Sequence, residues 1–597
     1  MKLNSFVLAG ALMAASLPSF SAEQVQAGFS ETDISSLQFG TYAVGSKIIF
    51  AKDDAQRFDP WNTAYASDEY RKLLRKIEQS GQSRTVATSI WYPAKASSER
   101  LNLNNRVRNP LKAISGQQAK FSDYVLGDPM MYPALVMLYT EALDSVADRE
   151  GVLLSLSKKS GDTSLLNEFS NEIMNQKRGA FLNAPVADGQ FPVIILSHGL
   201  GGNYAMWDRA GEFLASHGYI VAAPTFISDG VAPIVFHDPS SEFAKNSSKE
   251  EVNQAYQILA EAKVVPNFIK FLFGVEVSSP EVMEHFNPAE HSVVPGGPEK
   301  MVDMQRNLFR QRVSDVNTVK KALDTLNLEK KNCLIKATGS LGETCGLFEN
   351  RIDMSKVGLS GHSLGSMTSQ LGLEHIPGVT TAIGLNNGVP YSWTPQEMFG
   401  RGNTESGLPV GNQKPLLQLI GNEDAFVQFI FYHLSQQAIG LAKGDTSSIM
   451  QLETERATIT DSNPQPVALS AYKRATNDKM LVTVNDVNHG SMTQHDVSFN
   501  FPKYLQDNGK FKFRHIPTRN RKATGKDLDT YGFTGERFEL LGWDKTTNGQ
   551  WFYKPHLIRD YYYLNWFNYY LKGENAARDN LTDAPFIHAT SVTTNLE

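Results

Sequence analysis

One segment constrains the fold of this 597-residue chain more than any other: an apolar run, a glycine-rich turn, a helix and a second apolar run. The first run, Pro192–Leu196, is the continuous kind expected for a strand buried on both faces. It ends at residues 197–202 (SHGLGG), helical spacing follows from Tyr204 to His217, and Tyr219–Pro224 predicts a second strand. This order predicts two parallel strands joined by a right-handed crossover.

Further apolar or β-branched segments repeat this alternation of strand and helix. They are residues 41–50, 85–92, 356–360, 381–385, 415–420 and 480–484. The first two are rich in β-branched and aromatic residues and predict an antiparallel pair at one edge. The sequence therefore predicts an α/β fold with a mostly parallel central sheet flanked by helices. The chain is 41% hydrophobic, which suffices for a large core.

Three long segments without strand signals interrupt the pattern. We expect a single domain over 23–597 that carries a helical insertion at about 109–178, a cap-like insertion at 226–350 and a late insertion at 503–550. A helical run from Val316 to Leu326 lies near the end of the second.

The last predicted helix, Leu557–Leu571, has apolar and aromatic residues along one face. We expect this face to pack in the core. An aromatic surface that makes transient contact with lipid is the alternative.

The first 22 residues resemble a secretory signal peptide. The chain begins Met-Lys, an apolar run extends from Phe6 to Leu17, and small residues end the segment. This run of about 12 residues is too short for a bilayer, which needs about 20, and no later segment predicts a transmembrane span. We expect cleavage after Ser21 or Ala22 and export, to the periplasm or beyond the cell.

The chain has two cysteines, Cys333 and Cys345. In an oxidising compartment their proximity favours a disulfide that closes a short loop. Two unrelated buried thiols are the alternative, and the spacing does not indicate a metal or redox site.

The pentapeptide GHSLG, residues 361–365, matches the motif G-x-S-x-G. In this motif the serine occupies a sharp turn from a strand into a helix, and small flanking residues let its hydroxyl project outward. Predicted strand 356–360 precedes the motif, and helical spacing follows from Leu364 to Leu373. Ser363 is therefore the candidate nucleophile.

A serine hydroxyl needs a base whose pKa lies near the working pH, and histidine is the usual choice. With this elbow, the base comes after the acid in chain order and follows the last core strand. His489 fits, because it lies in a turn-rich loop just after segment 480–484. His495 is the main alternative.

The acid should hold the imidazole in its correct tautomer. Asp424 follows segment 415–420 closely, and Ser363, Asp424 and His489 then occur in the required order. Glu423 and Asp486 are the alternatives for the acid.

A tetrahedral intermediate needs two backbone N–H donors for its oxyanion. The residue after the nucleophile, Leu364, is expected to supply one. The loop at 198–202 (HGLGG) is expected to supply the other, and Leu200 is the candidate.

Three segments together resemble a known family. Residues 191–225 (FPVIILSHGLGGNYAMWDRAGEFLASHGYIVAAPT), 352–366 (IDMSKVGLSGHSLGS) and 88–95 (TSIWYPAK) are similar to the plasma-type platelet-activating factor acetylhydrolases and their dienelactone-hydrolase-like bacterial relatives. The resemblance implies an α/β-hydrolase fold and calcium-independent ester hydrolysis by a Ser-Asp-His triad, with no metal or organic cofactor.

By position, the resemblance implies Ser363 as nucleophile, His489 as base, and Leu200 and Leu364 as oxyanion donors. The sequence departs from the family at the acid. Those acetylhydrolases carry an Asp just after the strand that follows the elbow helix, where residues 384–388 of this chain read GLNNG. We therefore expect the acid one strand later, at Asp424.

These features predict an exported serine ester hydrolase that acts on a small-molecule or lipid ester through an acyl-enzyme. Segments 268–273 and 426–432 are candidates for an acyl pocket, with core packing as the equal alternative. A serine peptidase, a thioester or lactone hydrolase, and an inactive binding protein of the same fold remain open. The 57 Lys and Arg residues nearly balance 63 Asp and Glu residues, which excludes the basic footprint of a nucleic-acid-binding protein.

Overall fold

The structure is a computed structural model. It describes residues 39–57, 72, 75–76, 79, 83–95, 117–125, 174–175, 177–199, 202–226, 246–248, 250–251, 297–386, 412–421, 471–484, 492–493, 543–545, 551–583 and 590–596. Most of the three predicted insertions, both predicted pocket segments and the predicted signal peptide lie outside these residues.

Two sheets contain the described strands. In chain order the strands are β1 (Ala43–Arg57), β2 (Ser83–Ala94), β3 (Gln117–Lys120), β4 (Lys177–Leu182), β5 (Phe191–Ser197), β6 (Ile220–Pro224), β7 (Ile352–His362), β8 (Val379–Leu385), β9 (Leu416–Gly421), β10 (Lys479–Val484), β11 (Trp543–Lys545), β12 (Trp551–Tyr553) and β13 (Thr590–Thr594). Strands β11 and β12 form a separate antiparallel ribbon, and the other eleven form one sheet.

The large sheet has a parallel centre, and outside this centre every pair except the parallel β1–β4 pair is antiparallel. Its order is β13-β10-β9-β8-β7-β5-β6-β2-β1-β4-β3, and β5 to β10 are mutually parallel. Strands β2 and β13 run antiparallel to their neighbours β6 and β10. This topology is that of the α/β-hydrolase fold, so the predicted fold class is confirmed.

Helices cover both faces of the sheet. They are α1 (Phe121–Tyr124), α2 (Asp208–Ser216), α3 (Gly297–Leu326), α4 (Lys330–Lys336), α5 (Leu364–His375), α6 (Lys554–Phe567) and α7 (Asn575–Asp583). Successive β5 side chains point to opposite faces. Val193 and Ile195 lie in the core under α3 and α5, whereas Ile194 and Leu196 lie in the core under α2 and α6.

Several elements differ from the sequence-based expectation. Strands β3, β4 and β13 were not predicted, because they are short, lie at or next to an edge of the sheet and lack long apolar runs (QQAK, KRGAFL, TSVTT), and β3 lies within the range expected to be a helical insertion. Within the range assigned to a cap-like insertion, α3 packs on the sheet, and Leu308, Val316 and Leu323 are core residues.

The predicted core packing of the last helix is confirmed. Tyr562 and Trp566 of α6 are fully buried, and the Trp566 indole N–H donates to the Thr381 hydroxyl of β8 at 2.7 Å. Leu571, in the π-helical turn Asn568–Lys572 that continues α6, is also buried.

Cys333 and Cys345 form a disulfide with their Cα atoms 5.7 Å apart. The bond links α4 to the end of the 3₁₀ segment Gly339–Thr344, and both cysteines belong to the core beneath α3. The loop expected from the cysteine spacing is therefore present. Among the described helices, none combines the length and hydropathy that a membrane crossing needs.

Candidate active site

Ser363 occupies the turn between the end of β7 and the start of α5. Its backbone torsions are φ 56° and ψ −118°. A residue with a Cβ pays about 1–3 kcal/mol for such a conformation, so the surroundings must hold it in place. A strained serine between strand and helix is the nucleophile elbow of the α/β-hydrolase fold.

Both glycines of the motif are required by backbone crowding. A Cβ on Gly361 would overlap the Gly365 carbonyl and lie 2.9 Å from the Gly365 Cα. A Cβ on Gly365 would overlap the Ser197 carbonyl oxygen and lie 2.7 Å from the His198 carbonyl oxygen. The elbow can therefore turn this tightly only because Gly361 has no side chain, and it can approach the end of β5 this closely only because Gly365 has none.

Hydrogen bonds fix the main chain of the elbow. The Ser363 N–H donates to the Leu385 carbonyl of β8 at 3.0 Å, and the Ser363 carbonyl accepts from the Ser366 N–H at 3.0 Å. Leu364 is the first residue of α5, so its N–H belongs to the first-turn amides that have no acceptor within the helix. The positive end of the helix dipole also favours negative charge there.

The elbow lies where the direction of the sheet connections reverses. The chain leaves β5 through α2 to reach β6 on one side, and then returns through α3 to reach β7 on the other. Ligands of open α/β sheets bind in the crevice at the carboxyl ends of such strands. Ser197 at the end of β5 pairs with Gly361, so the loop after β5 emerges beside Ser363.

We call residues 198–202 the glycine loop. A Cβ on Gly199 would lie 3.1 Å from both the Ser363 Cβ and the His362 Nδ1, so this loop contacts the elbow directly. The Gly202 N–H donates to the Gly199 carbonyl at 3.3 Å, so the two described glycines of the loop are hydrogen-bonded to each other. Leu200, the predicted second oxyanion donor, lies outside the described residues.

His198 is a buried residue of the glycine loop that the sequence analysis does not name as a candidate base. Its Nδ1 lies 2.5 Å from the Gly199 carbonyl oxygen, and its Nε2 lies 2.9 Å from the Phe226 N–H. A carbonyl only accepts and an amide only donates, so the proton sits on Nδ1 and Nε2 accepts. Burial, together with the charge of Arg312, holds the pKa of His198 well below its ordinary value. His198 is therefore neutral, and with both nitrogens occupied it is not the base.

The predicted acid and base follow neighbouring strands. Strands β9 and β10 are parallel, and Gly421 pairs with Val484 at their carboxyl ends. Asp424 and His489, with the alternatives Glu423, Asp486 and His495, lie outside the described residues, so their assignment stays a prediction.

Asn386 stands where the resembled family carries its acid. It follows β8 directly and is fully buried. Its side-chain oxygen accepts from the Gly421 N–H at 2.8 Å, and its own N–H donates to the Leu419 carbonyl at 3.0 Å. Asn386 thus links the end of β8 to the end of β9. Its partner Gly421 lies three residues before Asp424 in the sequence.

A buried arginine holds the chain just beyond the predicted base. Arg559 of α6 donates from Nη1 to the Met492 carbonyl at 2.7 Å and from Nε and Nη2 to the Asp560 carboxylate.

The described residues contain no cluster of three or more His, Cys, Asp or Glu side chains suited to a metal ion.

The fold and the strained elbow place the chain among proteins with an α/β-hydrolase fold. A family model described as Chlorophyllase matches residues 159–246, which include β4, β5, the glycine loop, α2 and β6. One similar solved structure is a ferulic acid esterase from Streptomyces cinnamoneus, with 15% identity over 89% of this chain and 91% of that chain, and a TM-score of 0.38. A TM-score this low supports no inference. No curated protein matches the chain.

Proposed function

We propose that this chain is an exported serine hydrolase that cleaves carboxylic esters through an acyl-enzyme. The conformation of Ser363 carries the proposal. A serine with φ 56° is held at a strand-to-helix turn, against a glycine loop, at the crevice where the sheet connections reverse. Such strain persists only where the surroundings enforce it, and it is concentrated at functional sites.

In the proposed reaction, the Ser363 oxygen bonds to the ester carbonyl carbon while His489 takes the hydroxyl proton. The N–H groups of Leu364 and Leu200 stabilise the oxyanion, and Asp424 orients the imidazole and stabilises its cation. Collapse of the intermediate expels the alcohol, which receives the proton from His489. Water then attacks the acyl-enzyme with the same base, which releases the carboxylic acid and restores Ser363.

The chlorophyllase-model match supports a hydrolase assignment, because its 88 residues span β5 and the glycine loop, which would supply the second oxyanion donor. We propose a small-molecule or lipid-like ester as substrate. A serine peptidase and a thioester or lactone hydrolase use the same groups, and an inactive binding protein would keep the fold without the chemistry.

The first test is hydrolysis of p-nitrophenyl esters from acetate to decanoate by the mature chain. We expect activity that is lost in Ser363→Ala and kept in Ser369→Ala, a matched change of a buried serine further along α5. The chain-length optimum separates short-acyl from lipid-like substrates, and matching anilides and thioesters test the alternatives. Equal silence of wild type and Ser363→Ala on every substrate would favour the binding protein.

A second test assigns the acid and the base. Asp424→Asn is expected to lower kcat by about 10⁴-fold, the loss typical when a triad Asp becomes an amide. Glu423→Gln and Asp486→Asn serve as matched controls, and His489→Ala is compared with His495→Ala. Full activity of Asp424→Asn would remove Asp424 from the triad.

Export is proposed from the leader-like segment, and the disulfide agrees with an oxidising compartment. Expression of the full chain in a bacterium and N-terminal sequencing of the periplasmic and culture-medium protein test it. We expect the mature chain to begin at Ala22 or Glu23. An uncleaved chain confined to the cytoplasm would contradict export.

A further inference from the structure

A buried arginine of α3, one of the helices that pack on the sheet, contacts the glycine loop. Arg312 is 1% exposed, and its Nη2 donates to the His198 carbonyl. Its guanidinium carbon lies 4.1 Å from the centre of the Phe226 ring, a cation–π distance. We call Arg312, His198 and Phe226 the arginine cluster.

The three members of this cluster bind one another as well as the loop. Phe226 lies just beyond β6, and its N–H donates to the His198 Nε2 while the two rings lie 4.9 Å apart. The His198 Nδ1–H donates to the Gly199 carbonyl, which also accepts from the Gly202 N–H. Arg312 thus donates to the His198 carbonyl, and the His198 side chain and the Gly202 N–H donate to the Gly199 carbonyl.

A hydrogen bond that fixes a backbone carbonyl also affects the amide N–H that follows it. A peptide group is planar, so a fixed carbonyl also fixes the N–H of the same group. The Gly199 carbonyl is fixed by two donors, and Gly199 itself lies against the Ser363 Cβ. The shape of the loop beside the nucleophile therefore depends on the cluster.

Helix α3 is itself anchored close to Arg312. Arg84 of β2 donates from Nε and Nη2 to the two carboxylate oxygens of Asp315, each at 2.7 Å, and both side chains are buried. Asp315 lies three residues after Arg312, on the next turn. A bidentate buried pair of this kind fixes position as well as energy, so Arg312 extends from a rigid base.

We infer that Arg312 is a positioning residue that sets the glycine loop in the geometry needed to stabilise the oxyanion. The inference rests on the proposed function. Arg312 does not touch the reacting atoms; it acts through His198. An oxyanion donor acts on the transition state more than on the bound ester, so its misplacement lowers kcat and leaves KM largely unchanged.

The test replaces Arg312 with Met and measures kcat, KM and the affinity for a phenylboronic acid, which forms a tetrahedral adduct on a reactive serine. Loss of one oxyanion donor costs about 100- to 1,000-fold, and a displaced donor should cost less, about 10- to 100-fold in kcat. We expect boronate affinity to fall in parallel, because the adduct uses the same donors.

Arg178→Met is the matched control. Arg178 is also buried and pairs with Asp208, and its guanidinium carbon lies 4.8 Å from the Phe121 ring centre. It packs against Phe121 on the face of the sheet opposite to α3. We expect both variants to lower the melting temperature and only Arg312→Met to lose kcat and boronate affinity.

Three results would overturn the inference: an unchanged kcat in Arg312→Met, an equal loss in both variants, or a loss that appears in KM alone. If Arg312→Met does not fold, Arg312→Lys decides, because Lys keeps the charge but not the planar five-donor group. A several-fold loss of kcat in folded Arg312→Lys supports the inference, and wild-type kcat overturns it.

Failure of the proposed function is recognised separately. If wild type hydrolyses no ester, or if Ser363→Ala remains active, the proposed function fails and this inference fails with it. If Ser363→Ala is inactive while Arg312→Met keeps full kcat, only the inference on Arg312 is wrong.

Discussion

The substitution Gly365→Ala tests the elbow geometry with one methyl group. The new Cβ would overlap the Ser197 carbonyl oxygen and lie 2.7 Å from the His198 carbonyl oxygen. Carbon and oxygen in a weak backbone contact lie about 3.3 Å apart or more. The elbow or the end of β5 must therefore shift by at least about 0.6 Å relative to His198, and by more relative to Ser197.

This shift affects stability and activity together, because the clash is with backbone. Overpacking of a close-packed interior costs about 1–3 kcal/mol. A misplacement of about 1 Å at a reacting group costs on the order of 100-fold in rate. We expect kcat to fall by about 10- to 100-fold at temperatures where the variant is folded.

Gly372→Ala is the matched control, since it places the same methyl group in the same helix. Its Cβ would meet the Leu359 Cδ1 at 2.9 Å and the Ile376 Cδ1 at 3.2 Å, which are the ends of flexible side chains. An Ala in a helix also gains up to about 1 kcal/mol over Gly. Ester hydrolysis and thermal unfolding by circular dichroism measure both variants. Wild-type kcat in Gly365→Ala, or equal losses in the two variants, would refute this account of the elbow.

Two further predictions concern stability alone. Replacing Cys333 and Cys345 with Ser removes a disulfide that closes a loop of sequence separation 12. We expect the free energy of unfolding in urea to fall by about 3 kcal/mol with kcat unchanged. An unchanged midpoint of urea unfolding would contradict this expectation. Burial, with a smaller contribution from the Asp208 carboxylate, raises the pKa of Glu212 from 4.5 to about 7, so the folded state keeps a proton that the unfolded chain loses. The resulting stability is present below pH 4.5 and is lost as the pH rises to about 7. Urea unfolding at pH 5 and pH 8 should therefore show wild type losing stability relative to Glu212→Gln, and parallel pH dependence would show that Glu212 does not titrate there.

Features that depend on neighbouring residues in the sequence could be predicted. The elbow is one, because its glycines, its serine, the preceding strand and the following helix all lie within residues 352–375. Strands of the parallel centre are another, because burial on both faces gives β5 and β6 short continuous apolar runs and the other strands mostly apolar or β-branched segments.

Features that depend on contacts between residues distant in sequence could not be predicted. Strands β3, β4 and β13, at or next to the edges of the sheet, are defined by their partners rather than by composition. The link from Arg312 to His198 spans 114 residues, and its single sequence signal is an arginine at helical spacing between Leu308 and Val316. A charged residue in such a position indicates a buried partner but does not identify it.

The central claim, that Ser363 is the nucleophile, is tested most directly by mapping a covalent adduct. The mature chain is treated with a fluorophosphonate, digested with trypsin and analysed by mass spectrometry. Trypsin releases Ser363 in the peptide 357–401, which contains other serines, so fragmentation must locate the adduct. We predict one adduct, on Ser363, with hydrolytic activity falling in proportion to its yield. An active chain that carries the adduct on another residue, or that stays active and unlabelled, would contradict the assignment.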